Sequence, residues 1–172
     1  MSRRSWRVSL QKTATNLNAR VKSPRIAVLG VGNELNGDDA AGVIALRILN
    51  QKELAAGQFL WIETGPSPEN FTAPVIRFAP DWVIIIDAAR LGYQPGQIAY
   101  FGMDEIVGAS AFTHGLPLSM IGEYLVRQTN CQIGLLGIQV AQTGFGVPPT
   151  LAVTRAAERV GTFLSEVLIS IS

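Results

Sequence analysis

Beyond Pro24, apolar residues fall into two alternating rhythms. Unbroken apolar runs read as strands buried on both faces: Arg25 to Val31 (RIAVLGV), Phe59 to Glu63, Trp82 to Asp87 (WVIIID), Gln97 to Phe101 and Gln132 to Gln142. Between them, apolar residues recur at helical spacing. One such helix starts at Asp38 or Asp39 and runs to about Leu54, with Ala40, Val43, Ile44, Leu46, Ile48 and Leu49 supplying its apolar faces. Others run from Pro117 to Gln128 and from Pro148 to Ile169, each opened by proline. Asn70 to Phe78 is a weaker helical segment, which Pro74 should end or kink. Turn-rich pieces such as Gly32 to Gly37 and Gln94-Pro95-Gly96 punctuate the pattern. Alternation of this kind predicts an α/β sandwich with a mostly parallel sheet and helices on both faces. It forms one domain over residues 25–172, with no internal repeat and no linker.

Residues 1–24 break the rhythm. This arm carries Trp6, Val8, Leu10, Ala14 and Leu17 on part of a helical face, and predicts a short amphipathic helix that packs on the domain or lies loose. Charge sharpens the division. Residues 1–25 hold seven basic residues and no acid, which leaves seven basic and thirteen acidic residues, a net of −6, for the rest of the 172-residue chain. An acidic body is a poor nucleic-acid binder. The arm's composition also fits a transit peptide or a contact with an acidic partner, but it lacks the apolar stretch of a secretory signal. No run approaches the roughly 18 apolar residues of a membrane span. A cytoplasmic location is therefore expected. The 48% hydrophobic content excludes disorder for the bulk of the chain. Cys131, the single cysteine, permits no internal disulfide and no cysteine-rich zinc site.

In sheets of this class, ligands collect beyond the C-terminal ends of the strands. After the first strand come Asn33, Glu34, Asp38 and Asp39; Glu63 ends the second, Asp87 the third, and His114 precedes a helix. The segment GVGNELNGDDAAG (Gly30 to Gly42) resembles a phosphate loop at a glance, but Asp38 and Asp39 sit where an anion would have to enter. Asp38 can cap the helix and Asp39 can favour its dipole. The second carboxylate, with Asn33 and two close glycines, also suggests a cation site. Asp87 either caps the following turn or faces that site. His114, the only histidine, is either structural or the sole imidazole available to a metal. Two carboxylates and one imidazole would leave coordination positions open and would accept zinc, nickel, manganese or iron. A Cys131–His114 nucleophile pair is disfavoured, because Cys131 starts the fifth strand, away from the strand tips.

Five segments occur in order: GVGNELNGDDAAG at 30–42, GPSPEN at 65–70, VIIIDAARLGYQPGQI at 83–98, FTHGLPLSMI at 112–121 and LLGIQVAQTGFG at 135–146. Together they resemble the nickel–iron hydrogenase maturation endopeptidases, close to the type that processes the large subunit of the formate-hydrogenlyase hydrogenase. The resemblance spans about Ile26 to Leu164. It implies a three-layer α/β/α sandwich around a twisted five-stranded sheet, and a metal-site triad of Asp39, Asp87 and His114. It implies an endopeptidase that cuts a C-terminal extension from a hydrogenase large-subunit precursor. The nickel in that precursor would be the recognised feature, so the free enzyme need hold no tight metal. Asn33, Glu34 and Asp38 would support the triad or line the substrate groove, with Glu63, Glu69 and Asn70 flanking the same edge. The alternative expectation is a nickel-checkpoint protein that binds the loaded precursor without cutting it.

Overall fold

A computed structural model of the chain describes residues 5–52, 54–106 and 118–172. Five strands form one sheet: β1 (Ile26–Val31), β2 (Phe59–Gly65), β3 (Trp82–Ala89), β4 (Ile98–Gly102) and β5 (Gln132–Gln139). Their spatial order is β2-β1-β3-β5-β4. The first four in that order are parallel, and β4 runs antiparallel to β5 at the edge. The short connection from β3 to β4 explains the reversal, since a parallel crossover needs a dozen or more residues. Every residue of β1 and β3 is buried, as their unbroken apolar runs require.

Among the described residues, six helices cover the sheet: α1 (Trp6–Asn18), α2 (Ala41–Asn50), α3 (Thr72–Phe78), α4 (Met103–Ile106), α5 (Leu118–Thr129) and α6 (Leu151–Ile169). Strand alternation sends Val28, Ile84, Ile86 and Leu136 into a core shared with α1, α2 and α6. Leu29, Val83, Ile85 and Leu135 point the other way, into a core with Val75 of α3, Ile106 of α4 and Leu125 of α5. The architecture is thus the expected three-layer sandwich.

The arm helix α1 packs on the domain. Leu10, Ala14 and Leu17 are buried, and Trp6 meets Phe163 of α6 edge to face with ring centroids 5.2 Å apart. Val8 instead faces solvent, so the buried stripe is narrower than the sequence pattern implied. Several boundaries also differ from expectation. The helix after β1 opens with a 3-10 turn, Gly37–Ala40, and ends at Asn50 rather than near Leu54. β5 stops at Gln139 and α6 starts at Leu151, leaving an irregular loop between them. Pro74 neither ends nor kinks α3. It occupies the first turn, where a missing N–H breaks no intrahelical bond. The helix stops instead at Ala79, which adopts a left-handed conformation with φ 49°.

Candidate active site

From β1 the chain returns to β2 on one side, whereas from β3 it proceeds to β4 and β5 on the other. The crevice between the C-terminal ends of β1 and β3 is therefore the topological switch point, where open α/β sheets bind ligands. Asp39 and Asp87 both belong to this place. Asp87 lies within β3, one residue beyond the Gly30–Ile86 pair at which β1 leaves the ladder. It is not the strand's last residue, since β3 continues through Ala88 and Ala89 alongside β5. By alternation it shares the face of Val83 and Ile85, the side covered by α3, α4 and α5. Asp39 sits in the 3-10 turn that follows β1 and packs against β3. Asp39 is 4% exposed and Asp87 fully buried.

Two glycines make this closeness possible. Gly32 has φ +143°, and a Cβ there would fall 1.8 Å from the Asp39 carbonyl oxygen. A Cβ on Gly42 would fall 2.2 Å from the carbonyl oxygens of both Val31 and Ile86, so the first turn of α2 rests directly on the tips of β1 and β3. That contact buries the helix end which a phosphate would need. The Asn33 N–H donates to Asp39 Oδ2 at 3.2 Å, while Asn33 Oδ1 accepts from the Leu35 N–H at 3.0 Å. Asn33 thereby orders the loop on both sides of itself.

Asp38 has a different task from the one its position suggested. Neither it nor Asp39 makes a side-chain cap on the 3-10 turn or on α2. The Asp38 carboxylate, fully buried, turns toward the loop after β5. Oδ2 accepts from the Ala141 and Gln142 N–H groups at 2.7 and 2.9 Å. Oδ1 accepts from the Thr150 N–H and hydroxyl at 2.6 and 2.8 Å. Burial by itself would raise this carboxyl's pKa, but the donors from Gln142, Thr150 and Ala141 outweigh it and hold the pKa below the ordinary value. Asp38 therefore fastens two loops of the site together.

Glu34 and Glu63 are joined through Arg47 of α2, which sequence reasoning passed over. Its guanidinium binds both Glu34 oxygens, one through Nη2 at 3.0 Å, and both Glu63 oxygens at 2.8 Å. Hydrogen bonding to Arg47 holds the Glu63 pKa below its usual range. All three side chains are about half exposed. Thr64 adds a buried hydroxyl that donates to the Gly30 and Gly65 carbonyls, tying the tips of β1 and β2. Glu69 and Asn70 lie in a second 3-10 turn, Pro68–Phe71, which follows β2. No spacing in the sequence marks Arg47 or Thr150; their roles need partners 13 and 112 residues distant.

His114 lies outside the described residues, four positions before α5 begins. Among the described residues, no group of three His, Cys, Asp or Glu side chains is placed to hold a metal ion. Cys131 is buried between α5 and β5, and burial pushes its thiol pKa up, the opposite of what a nucleophile needs. Among the described residues, no helix is long and apolar enough to cross a membrane.

The fold agrees with what similarity to known proteins indicates. The family model of HycI, a hydrogenase maturation protease, matches residues 44–167. The hydrogenase 3 maturation protease of Escherichia coli is 35% identical over 139 residues, covering 77% of this chain and 84% of that protein. The crystal structure of the [NiFe] hydrogenase maturation protease HycI from Thermococcus kodakarensis superposes with a TM-score of 0.78 at 32% identity, covering 84% of this chain and 92% of that one. The maturating endopeptidase HybD of E. coli shares the fold, with a TM-score of 0.73 at 22% identity over 85% of this chain and 93% of that one. With a matching family model over most of its length and relatives among maturation proteases in both sequence and structure, this chain belongs to the hydrogenase maturation protease family and is a protease.

Proposed function

We propose that this enzyme removes the C-terminal extension of a [NiFe] hydrogenase large-subunit precursor after nickel has been inserted, and that the nickel arrives on the substrate. The observation that carries the reading is the convergence of Asp39 and Asp87, both buried, on the crevice between β1 and β3. An imidazole contributed by His114 would complete a mixed oxygen and nitrogen donor set that suits nickel. Nickel held there on the substrate would supply Lewis-acid polarisation of the scissile carbonyl or of a water.

The chain's own groups prepare that encounter. The Asn33 N–H holds one oxygen of Asp39, so the carboxylate is oriented before substrate enters. Asp38 fastens the Asp39 turn to the loop after β5, which fixes the two walls of the crevice against each other. Burial of Asp39 and Asp87 keeps bulk water from competing with a cation brought to them. The Arg47 bridge fixes Glu34 and Glu63 at one rim, where Glu69 and Asn70 also border the groove for the extension. Nickel insertion is an intracellular assembly step, so the reading goes with a cytoplasmic location.

The test is replacement of the proposed ligands. Asp39→Ala, Asp87→Ala and His114→Ala are each expected to cut processing of the nickel-loaded precursor by roughly a thousandfold or more while leaving the circular dichroism spectrum unchanged. A folded His114→Ala or Asp87→Ala enzyme that processes at the normal rate would rule the assignment out. Tight binding of loaded precursor by the wild-type protein without cleavage would turn the reading to a nickel checkpoint.

A further inference from the structure

Large apolar side chains are exposed beside the catalytic crevice, on segments that the structure otherwise holds firmly. Phe145 is 83% exposed, Leu35 60% and Val147 38%, and Leu151 at the start of α6 is 64% exposed. Leu35 lies in the turn that starts at Asn33, just before the 3-10 turn of Asp39, and its N–H is bonded to Asn33 Oδ1. Phe145 and Val147 lie in the loop after β5. The Gly146 N–H donates to the Leu35 carbonyl at 2.8 Å, and the Asp38 N–H donates to the Gln142 carbonyl at 3.1 Å, so the two segments lie side by side. The buried Asp38 carboxylate clamps the same loop at Ala141, Gln142 and Thr150.

A loop that exposes apolar side chains without function would gain nothing from such anchoring. Solvated loops are normally polar and loosely held. Here a buried carboxylate and cross-loop backbone bonds present four apolar side chains on a prearranged surface. Prearrangement lowers the ordering cost of association, and clustered exposed apolar groups mark protein contact sites.

We infer that Leu35, Phe145, Val147 and Leu151 form the docking surface for the folded body of the hydrogenase precursor. This inference rests on the proposed function and deepens it. The occupant follows from continuity: Asn33 accepts from the Leu35 N–H and donates to the Asp39 carboxylate, so the protein that brings a scissile peptide to that carboxylate comes to lie against Leu35 and its neighbours. A protease whose substrate is a folded protein needs such a surface, because an extension of a few residues offers little area for recognition. The apolar side chains select the protein and the carboxylates select its metal.

The experiment measures binding and cleavage separately. Wild-type enzyme and the double variant Leu35→Ser/Phe145→Ser are titrated onto immobilised nickel-loaded precursor, and processing is followed in parallel. Both positions are solvent-exposed, so the variant is expected to melt within about 2 °C of wild type. The expected result is a Kd raised at least about tenfold, with kcat at saturating precursor changed less than threefold. An unchanged Kd overturns the inference, as does a wild-type protein that does not bind precursor at all. Sedimentation of the two proteins addresses the other occupant: a wild-type dimer that the variant dissolves, with unchanged precursor affinity, assigns the surface to a second copy and overturns the inference. If wild type binds but does not cut, the proposed cleavage fails, while the Kd comparison still decides the docking surface.

Discussion

Two carboxylate networks border the catalytic crevice, and they differ in nearly every physical respect. On one side, buried Asp38 receives four hydrogen bonds, three of them from backbone N–H groups far along the chain. On the other, half-exposed Glu34 and Glu63 share the guanidinium of Arg47. The second network has more formal charge and better-known chemistry, but water competes for every one of its atoms. Exposed pairs of this kind contribute about 0–1 kcal/mol. The first network has a single charge, but its carboxylate is wholly shut away from water and receives every one of its bonds from the chain itself. The lesson is that burial, more than charge count, decides which network holds the site together.

The largest expected effect comes from breaking the buried side. Asp38→Ala removes the charged acceptor shared by three backbone N–H groups and a hydroxyl and should cost about 3 kcal/mol, a melting temperature lower by roughly 6–12 °C in thermal unfolding. If the loss is under about 1 kcal/mol, the contrast between the networks fails.

Acid should sharpen the comparison. Asp38 has a folded-state pKa below its ordinary value of 3.8, so its contribution to stability is complete above that value and is lost as the pH falls through the lower folded value. The melting-temperature gap between wild type and Asp38→Asn should therefore be widest near neutrality and narrow below about pH 4. A gap that widens in acid contradicts this assignment.

The exposed side should respond weakly. Glu63→Gln is expected to cost less than about 1 kcal/mol, and the cost should shrink further at about 1 M salt, where the Debye length falls to about 3 Å. Denaturant titrations at two salt concentrations would measure it. The smallest effect is expected at Cys131, which belongs to neither network. Cys131→Ser should leave the processing rate of the folded enzyme unchanged, and a large loss of kcat would reopen the thiol as a participant.

The contrast also explains what could be read from the sequence. The unbroken run from Trp82 to Ile86 fixes a doubly covered strand, because no other element buries five consecutive apolar residues so simply. A carboxylate directly after that run, and another opening the segment after β1, then fall at the ligand edge of any parallel sheet. That Asp87 and one of the pair Asp38 and Asp39 lie at this edge was legible for that reason, and the family resemblance singled out Asp39. The task of Asp38 was not, because a carboxylate at a helix start has a local partner to offer, whereas its real partners lie 103 to 112 residues away. Glu34 and Glu63 were legible as groups at that edge, but their bridge through Arg47 was not, because only strand order brings Glu63 beside the helix after β1. Pro74 misled through register: the helix begins at Thr72, which puts the proline in the first turn. The depth of α1 in the core was unreadable because Leu10, Ala14 and Leu17 form a stripe too short to tell a packed helix from a loose one.

The central claim is that buried Asp39 and Asp87 form the place where this protease meets a nickel-bearing precursor. Intact mass spectrometry of the precursor after incubation with the enzyme tests it most directly, using nickel-loaded and nickel-free precursor with wild type and Asp87→Asn. The account predicts loss of a C-terminal peptide only when loaded precursor meets wild-type enzyme. Equal cleavage of nickel-free precursor, or normal cleavage by Asp87→Asn, would contradict it.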